Sequence, residues 1–307
     1  MSKNFTGQTA VITGAGSGLG LEVARMAAQE GMNLVIADIQ ADALALAEQA
    51  LQQYGVRVQA FVTDVAKSEQ VLDLARKTQL AFGTPHLVFN NAGVGSGGLI
   101  WETSEQDWQW VLGVNLMGVV NGVRSFTPMM LQAARLDPHY RGYIVNTASM
   151  AGLVCVPNMG VYNVSKHAVV ALSETLFHDL ALVTEQVRAA VLCPYFVPTG
   201  ISRSERNRNG GVGGVPESLT PSQQLSRQMM DKAVSSAKVS AAQVALQVFD
   251  ALRQDRFYIY SHPKALQGVS QRFEDLMAAR NPRDPYADAP QLAALLRNAL
   301  AGESNLN

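Results

Sequence analysis

No stretch of this 307-residue chain approaches the roughly 20 consecutive apolar residues that a membrane-spanning helix needs. Positive charge is neither abundant nor clustered. The formal net charge is −1, and no lysine–arginine run offers a footprint for nucleic acid. Cysteine is scarce as well: Cys155 and Cys193 lie far apart and form no metal-ligand pattern, so no metal is expected. The opening "MSKNFTGQTAVITG" lacks the apolar core of a secretion signal. A G-x-S-x-G elbow is missing, and His167 and His178 complete no Ser-His-Asp pattern, which makes a serine hydrolase the weakest enzyme class. Internal repeats and low-complexity tracts are also absent. The economical expectation is a soluble cytoplasmic protein whose partner is a small molecule.

Apolar residues, in contrast, make up 48% of the chain, enough for a sizeable core. Short apolar runs alternate with helical patterns: "TAVIT" (9–13), "NLVIAD" (33–38), "VQAFVTD" (58–64), "HLVFNN" (86–91), "GYIVNTAS" (142–149) and "VRAAVLCP" (187–194). Helices are expected between them, among them one from Leu19 to Glu30 and one near 70–82. Strands that are apolar throughout, separated by amphipathic helices, predict βαβ units and a parallel sheet covered on both faces. The expected fold is a single doubly wound α/β domain over residues 1–262, ending near "RFYIY" (256–260), with a helical extension over 263–307. The polar, glycine-rich stretch 203–221 reads as a mobile loop inside that domain.

"TGAGSGLG" (13–20) joins the first strand to the first helix. Glycines permit a tight turn and let a pyrophosphate approach the helix N-terminus, where free N–H groups and the helix dipole favour anions. Gly14, Ser17, Gly18, Leu19 and Gly20 are the candidates for that contact, although the spacing is not the standard G-x-G-x-x-G. The second strand ends in Asp38, about 20 residues on, where a carboxylate would accept hydrogen bonds from an adenosine ribose. It would repel a 2′-phosphate, and neither Ala15 nor Ile39 is the cation that would welcome one, so NAD rather than NADP is expected.

"VYNVSKHAVV" (161–170) sets Tyr162 and Lys166 four apart, neighbours on one helix face. Oxidising an alcohol by hydride transfer requires removal of the hydroxyl proton, hence a positioned base. A free phenol, with a pKa of about 10, needs roughly 4 kcal/mol of help to reach about 7, and a nearby ammonium is one source of it.

Together with Tyr162 and Lys166, the ordered motifs "TGAGSGLG", "NNAG" (90–93), Asn115 in "GVNLMG" and Ser149 in "NTASMAG" resemble those of the short-chain dehydrogenase/reductase family, over residues 5 to 262. The resemblance implies an NAD-dependent alcohol–ketone oxidoreductase. Ser149 would hold the substrate oxygen beside Tyr162, Lys166 would also bind the nicotinamide ribose, and Asn115 would hold a water of a proton relay. Asp64 and Val65 would border the adenine, Asn91, Ala92 and Gly93 the adenosine and ribose, and Pro194, Val197 and Thr199 the carboxamide. Tyr195 departs from the family's glycine; with Phe196 it either walls the substrate pocket or packs on the loop base. A regulatory dinucleotide-binding protein and an NADP-dependent ketone reductase are the rival readings.

Met150, Val154, Val156, Tyr195 and Phe196 suggest a bulky, largely apolar, aromatic or steroid-like substrate. The segment "GVNLMGVVNGVRSFTPMM" and the C-terminal extension are similar to dehydrogenases acting on large benzylic alcohols. Glycines 210, 211, 213 and 214 give the 203–221 stretch the freedom of a substrate lid. The helices after Asn115 and through Tyr162 carry small and apolar residues on more than one face, and the resemblance implies a homodimer or homotetramer built on them.

Overall fold

The computed structural model describes residues 4–208 and 219–301. The chain runs β1 (Thr9–Thr13), α1 (Gly18–Gln29), β2 (Asn33–Asp38), α2 (Ala41–Gln52), β3 (Val58–Val62), α3 (Ser68–Phe82), β4 (Leu87–Asn90), α4 (Glu105–Leu112), α5 (Gly118–Leu136), β5 (Gly142–Thr147), α6 (Gly160–Val183), β6 (Val187–Cys193), α7 (Pro221–Ser235), α8 (Ala241–Arg253) and β7 (Tyr258–Tyr260). Helices α9 (Leu266–Met277) and α10 (Pro290–Ala301) follow.

The seven strands form one sheet in the order β3-β2-β1-β4-β5-β6-β7, all parallel. Alternate residues of each strand feed opposite faces. Ala10 and Ile12 of β1 join Leu34 and Ile36 of β2 against α1 and α8, where Val248 and Phe249 are fully buried. Val11, Val35 and Val88 face the other way, against α3 and α5, where Phe126 and Met130 have no exposure. Covered on both sides, the strands are apolar at nearly every position, which is why they read as runs rather than alternations.

The strand order reverses between β1 and β4, the point where a doubly wound sheet opens a crevice at its carboxyl edge. Several boundaries depart from expectation by one or two residues. Helix α1 starts at Gly18 instead of Leu19, and the last strand has three residues, Tyr258–Tyr260, where five were expected. The stretch expected to be mobile from residue 203 is ordered at both ends: Gly200–Asn207 forms 3-10 turns, and Thr220 caps α7 in a reciprocal box with Gln223. The four glycines of the expected lid lie outside the described residues. The C-terminal helices pack on elements near the crevice, α9 through Leu266 and Val269 beside Leu153, and α10 against α7.

Candidate active site

The end of β1 and the end of β4 are bolted together by side chains. Thr13 Oγ1 accepts from the main-chain N–H of Asn91 at 3.0 Å and of Ala92 at 3.2 Å. Asn91 Nδ2 donates back to the carbonyls of Thr13 (3.0 Å) and Gly14 (3.3 Å). The glycines of the turn are held by this packing. Gly14 has φ +66°, and a Cβ there would lie 2.8 Å from Ala92 Cα; a Cβ at Gly20 would overlap the Gly14 carbonyl. Helix α1 has no acidic residue in its first turn, and the Ser17 hydroxyl does not cap it, which leaves its first N–H groups open to an anion. Thr199 closes over this turn, 3.2 Å from a Cβ position on Gly18.

Asp38 is fixed by two backbone donors, Gly16 N–H to Oδ2 at 2.9 Å and Gln40 N–H to Oδ1 at 3.0 Å. With Ile39 it lines one end of a cleft that also borders Asp64, Val65 and Ala92. The glycine cradle, the open helix end and Asp38 fit a nicotinamide dinucleotide: Gly14, Ser17, Gly18 and Leu19 would hold its pyrophosphate, and Asp38 its adenosine ribose.

The other end gathers Ser149, Tyr162 and Lys166. Ser149 follows β5; its Oγ accepts from Ala151 N–H at 3.1 Å and donates weakly to Pro194 O at 3.4 Å. Tyr162 and Lys166 stand on successive turns of α6, with Lys166 Nζ 5.7 Å from the phenol ring centroid. That ammonium is almost wholly buried and donates to Thr147 O at 2.9 Å. Burial pushes it down to about 8. Burial likewise pushes the Tyr162 phenol above its ordinary value, and a hydrogen bond with Ser149 pulls it the other way.

Asn115 lies behind this wall, in a wide π-turn, Gly113–Met117, between α4 and α5. Its amide donates to Val94 O at 3.0 Å and Ser165 Oγ at 3.1 Å, and its Oδ1 accepts from Val94 N–H at 2.8 Å. Ser165 in turn donates to Tyr162 O at 2.8 Å. The asparagine thus ties the loop after β4 to the first turn of α6. Any water it holds has to reach its main-chain carbonyl or the remaining lone pair of Oδ1.

Met150, Val156, Tyr195 and Phe196 all border the cleft, as do Pro194, Val197 and Gly93; Gly20 does not, since it packs against Gly14. Tyr195 does both things the sequence left open. Its ring meets Phe196 edge-on at 4.6 Å at the cleft wall, while its N–H is anchored by Ser261 Oγ at 2.9 Å.

The family now follows from comparison. Residues 8–210 match the family described as short chain dehydrogenase. The chain belongs to the short-chain dehydrogenase/reductase family. It is similar to a short-chain dehydrogenase/reductase from Burkholderia phymatum, solved in complex with NAD, at 48% identity over 92% of this chain and 99% of that one, with a TM-score of 0.89. It is also similar to a CLA biosynthesis dehydrogenase/reductase of Lactiplantibacillus plantarum, 34% identical over 85% of this chain and 90% of the relative. A C alpha-dehydrogenase of a Sphingobium species is 28% identical over 96% of this chain and 94% of its own length. The protein is accordingly an oxidoreductase of a nicotinamide-dependent family, acting on a small molecule. Among the described residues no helix is long and apolar enough to cross a membrane, and no His/Cys/Asp/Glu group could hold a metal.

The cleft has further lining that was not named residue by residue from the sequence, part of it in the 203–221 stretch expected as a substrate lid. Ile201, Ser204, Arg206 and Asn207, from the turns after Thr199, line the cleft, and so do Met230 and Val234 of α7. The signal for α7 was present: Thr220-Pro221-Ser222-Gln223 is a capping box with proline at the first helical position, and Met230 and Val234 are spaced for one helix face.

Proposed function

We propose that this oxidoreductase interconverts a secondary alcohol and a ketone with NAD as hydride carrier, and that Tyr162 serves as acid and base. The reading rests on one observation above the rest: Ser149, Tyr162 and Lys166 share one wall of a cleft whose other end presents Asp38. Bound NAD would supply the ring that accepts the hydride and, in its oxidised form, a positive charge facing the phenol. Tyr162 Oη then takes the hydroxyl proton of the alcohol. The chain's own groups leave the phenol raised by burial, so bringing it to about 7 asks for more than roughly 4 kcal/mol from charge in the filled site. Ser149, whose bond to Pro194 O is long at 3.4 Å, can turn its hydroxyl to the substrate oxygen. Lys166 keeps one N–H on Thr147 O and has two left for ribose hydroxyls and for passing the proton onward. Asn115 positions α6 through Ser165 and offers its main-chain carbonyl to a relay water.

Asp38 favours NAD over NADP because its carboxylate suits a ribose diol and repels a phosphate. The cations lining the cleft, Lys166 and Arg206, belong to α6 and to the turn after Thr199. Support for NAD also comes from the cofactor in the Burkholderia phymatum structure. A regulatory role would not need a buried ammonium beside a phenol and a serine. Met150, Val156, Tyr195 and Phe196 make the substrate end largely apolar, and a bulky apolar alcohol fits it best. A panel of secondary alcohols with NAD, followed by NADH absorbance, tests the reading. Turnover should rise with apolar bulk, and no turnover of any member or of the matching ketones would contradict it.

A further inference from the structure

Among the described residues, one ion pair has both side chains almost wholly buried. Asp107, at the third position of α4, pairs with Arg208; their side chains are 4% and 2% exposed. The Asp107 carboxylate caps its own helix, accepting from Ser104 N–H at 3.2 Å and Ser104 Oγ at 2.8 Å. It also accepts from Gln223 Nε2 at 3.4 Å. The Arg208 guanidinium lies over the Trp110 ring, 4.3 Å from its centroid. Burial pushes the Asp107 carboxyl up, but the bonds from Arg208 and Ser104 outweigh it and hold the group below its ordinary value, so it stays ionised. Burying two charges is costly and is offset only by good geometry, which makes the pair poor evidence for stability alone.

Its position gives it a different meaning. Arg208 ends the 3-10 turns that carry Ile201, Ser204 and Arg206 into the cleft, and Gln223 opens the helix that carries Met230 and Val234 into it. The neighbouring bonds repeat the pattern: Gly95 N–H donates to Ser204 Oγ (2.8 Å), Leu99 N–H to Ser222 Oγ (3.0 Å), and Ser222 Oγ to Glu102 (2.6 Å). Every one of these joins the 95–107 segment to one of the two elements that form the outer substrate wall.

We propose that Asp107 is the positioning residue of the substrate end: by holding Arg208 and Gln223 on one buried carboxylate, it sets the distance of Ile201, Met230 and Val234 from Tyr162 and so the bulk of alcohol accepted. This rests on the alcohol–ketone reading of the cleft. Asp107 touches neither substrate nor cofactor, so its loss acts on substrate fit and leaves the Asp38 and glycine-turn end unchanged.

The test uses the full chain, with NAD for alcohol turnover and NADH for binding and exchange. Asp107→Asn and Arg208→Gln should each raise KM for a bulky alcohol about tenfold, the scale of one charge-assisted hydrogen bond, with a smaller effect on a short alcohol. NADH affinity should stay within about twofold. The double variant should be no worse than Arg208→Gln alone, since both leave Glu205 without its cation and the double variant removes the unpaired Asp107 charge. Hydrogen exchange should quicken at residues 200–208 and 220–226 and not in the sheet. Unchanged KM and exchange, or an equal loss of NADH affinity, would overturn the proposal. If wild type turns over no alcohol, the functional reading fails and exchange alone decides. If the charge variants do not fold, Gln223→Ala, which removes one bond to the same carboxylate, should quicken exchange at 220–226, and wild-type exchange there would overturn the proposal.

Discussion

Lys166 stands one helical turn from Tyr162, its ammonium 5.7 Å from the phenol ring, yet its hydrogen bond goes to Thr147 O at 2.9 Å. The lysine is thus a buried charge held by one carbonyl, placed near the phenol without binding it. Burial pulls it down to about 8 from its ordinary 10.5. Because the folded value lies below the unfolded one, the charged form is penalised in the fold at and below pH 8, and the penalty lifts as pH rises between the two values. Relative to Lys166→Met, wild type should gain about 1.5 kcal/mol of unfolding free energy between pH 8 and about 9.5. Denaturant melts of both proteins at the two pH values measure this. A constant difference would mean that the ammonium is solvated.

Cofactor choice should follow Asp38. Its two oxygens are engaged by Gly16 and Gln40 N–H groups, which fix the carboxylate at the ribose end of the cleft. Wild type should prefer NAD over NADP by at least about tenfold in kcat/KM, the equivalent of 1.4 kcal/mol of repulsion. Asp38→Ala with Ile39→Arg should erode or invert that preference. Equal use of both cofactors by wild type would mean that Asp38 does not meet the ribose.

Much of this was legible in the sequence because it is local. β1, the glycine turn, α1 and β2 with Asp38 form one βαβ unit, and each part carries its own period or turn residue. The Tyr162–Lys166 spacing is likewise a property of a single helix. The π-turn at Asn115 was not legible: the side chain is drawn to Val94 and Ser165, 21 and 50 residues away, and local pattern carries no trace of that pull. The role of Asp107 was not legible for the same reason, since its partner is 101 residues on. The phenol's raised pKa comes from burial, against the opposing pull of Ser149, and four-residue spacing reports neither.

Tyr195 should set substrate size from the opposite wall. The residue is 49% exposed and borders the cleft, its ring leans on Phe196, and its backbone is anchored by Ser261. Tyr195→Ala should raise KM for aromatic alcohols about tenfold and leave NADH affinity unchanged. Steady-state kinetics on a short and an aromatic alcohol check this. A matched change in both would assign Tyr195 to the loop base alone.

Assembly should involve α5 and α6. Val164, Phe177, Leu182 and Val183 of α6 and Leu136 of α5 are exposed apolar side chains that an interface would cover. Light scattering at micromolar concentration should report a dimer or tetramer. The mass of a single chain would contradict that expectation.

The central claim is that the Tyr162 phenol moves the proton. Tyr162→Phe removes only the hydroxyl and keeps the ring that packs at the start of α6. NADH formation from the best alcohol should fall by a factor of about 100 or more, the usual contribution of a general base, while NADH still binds within about twofold of wild type. Retention of more than about a tenth of the wild-type rate would show that another group takes the proton and would contradict the account.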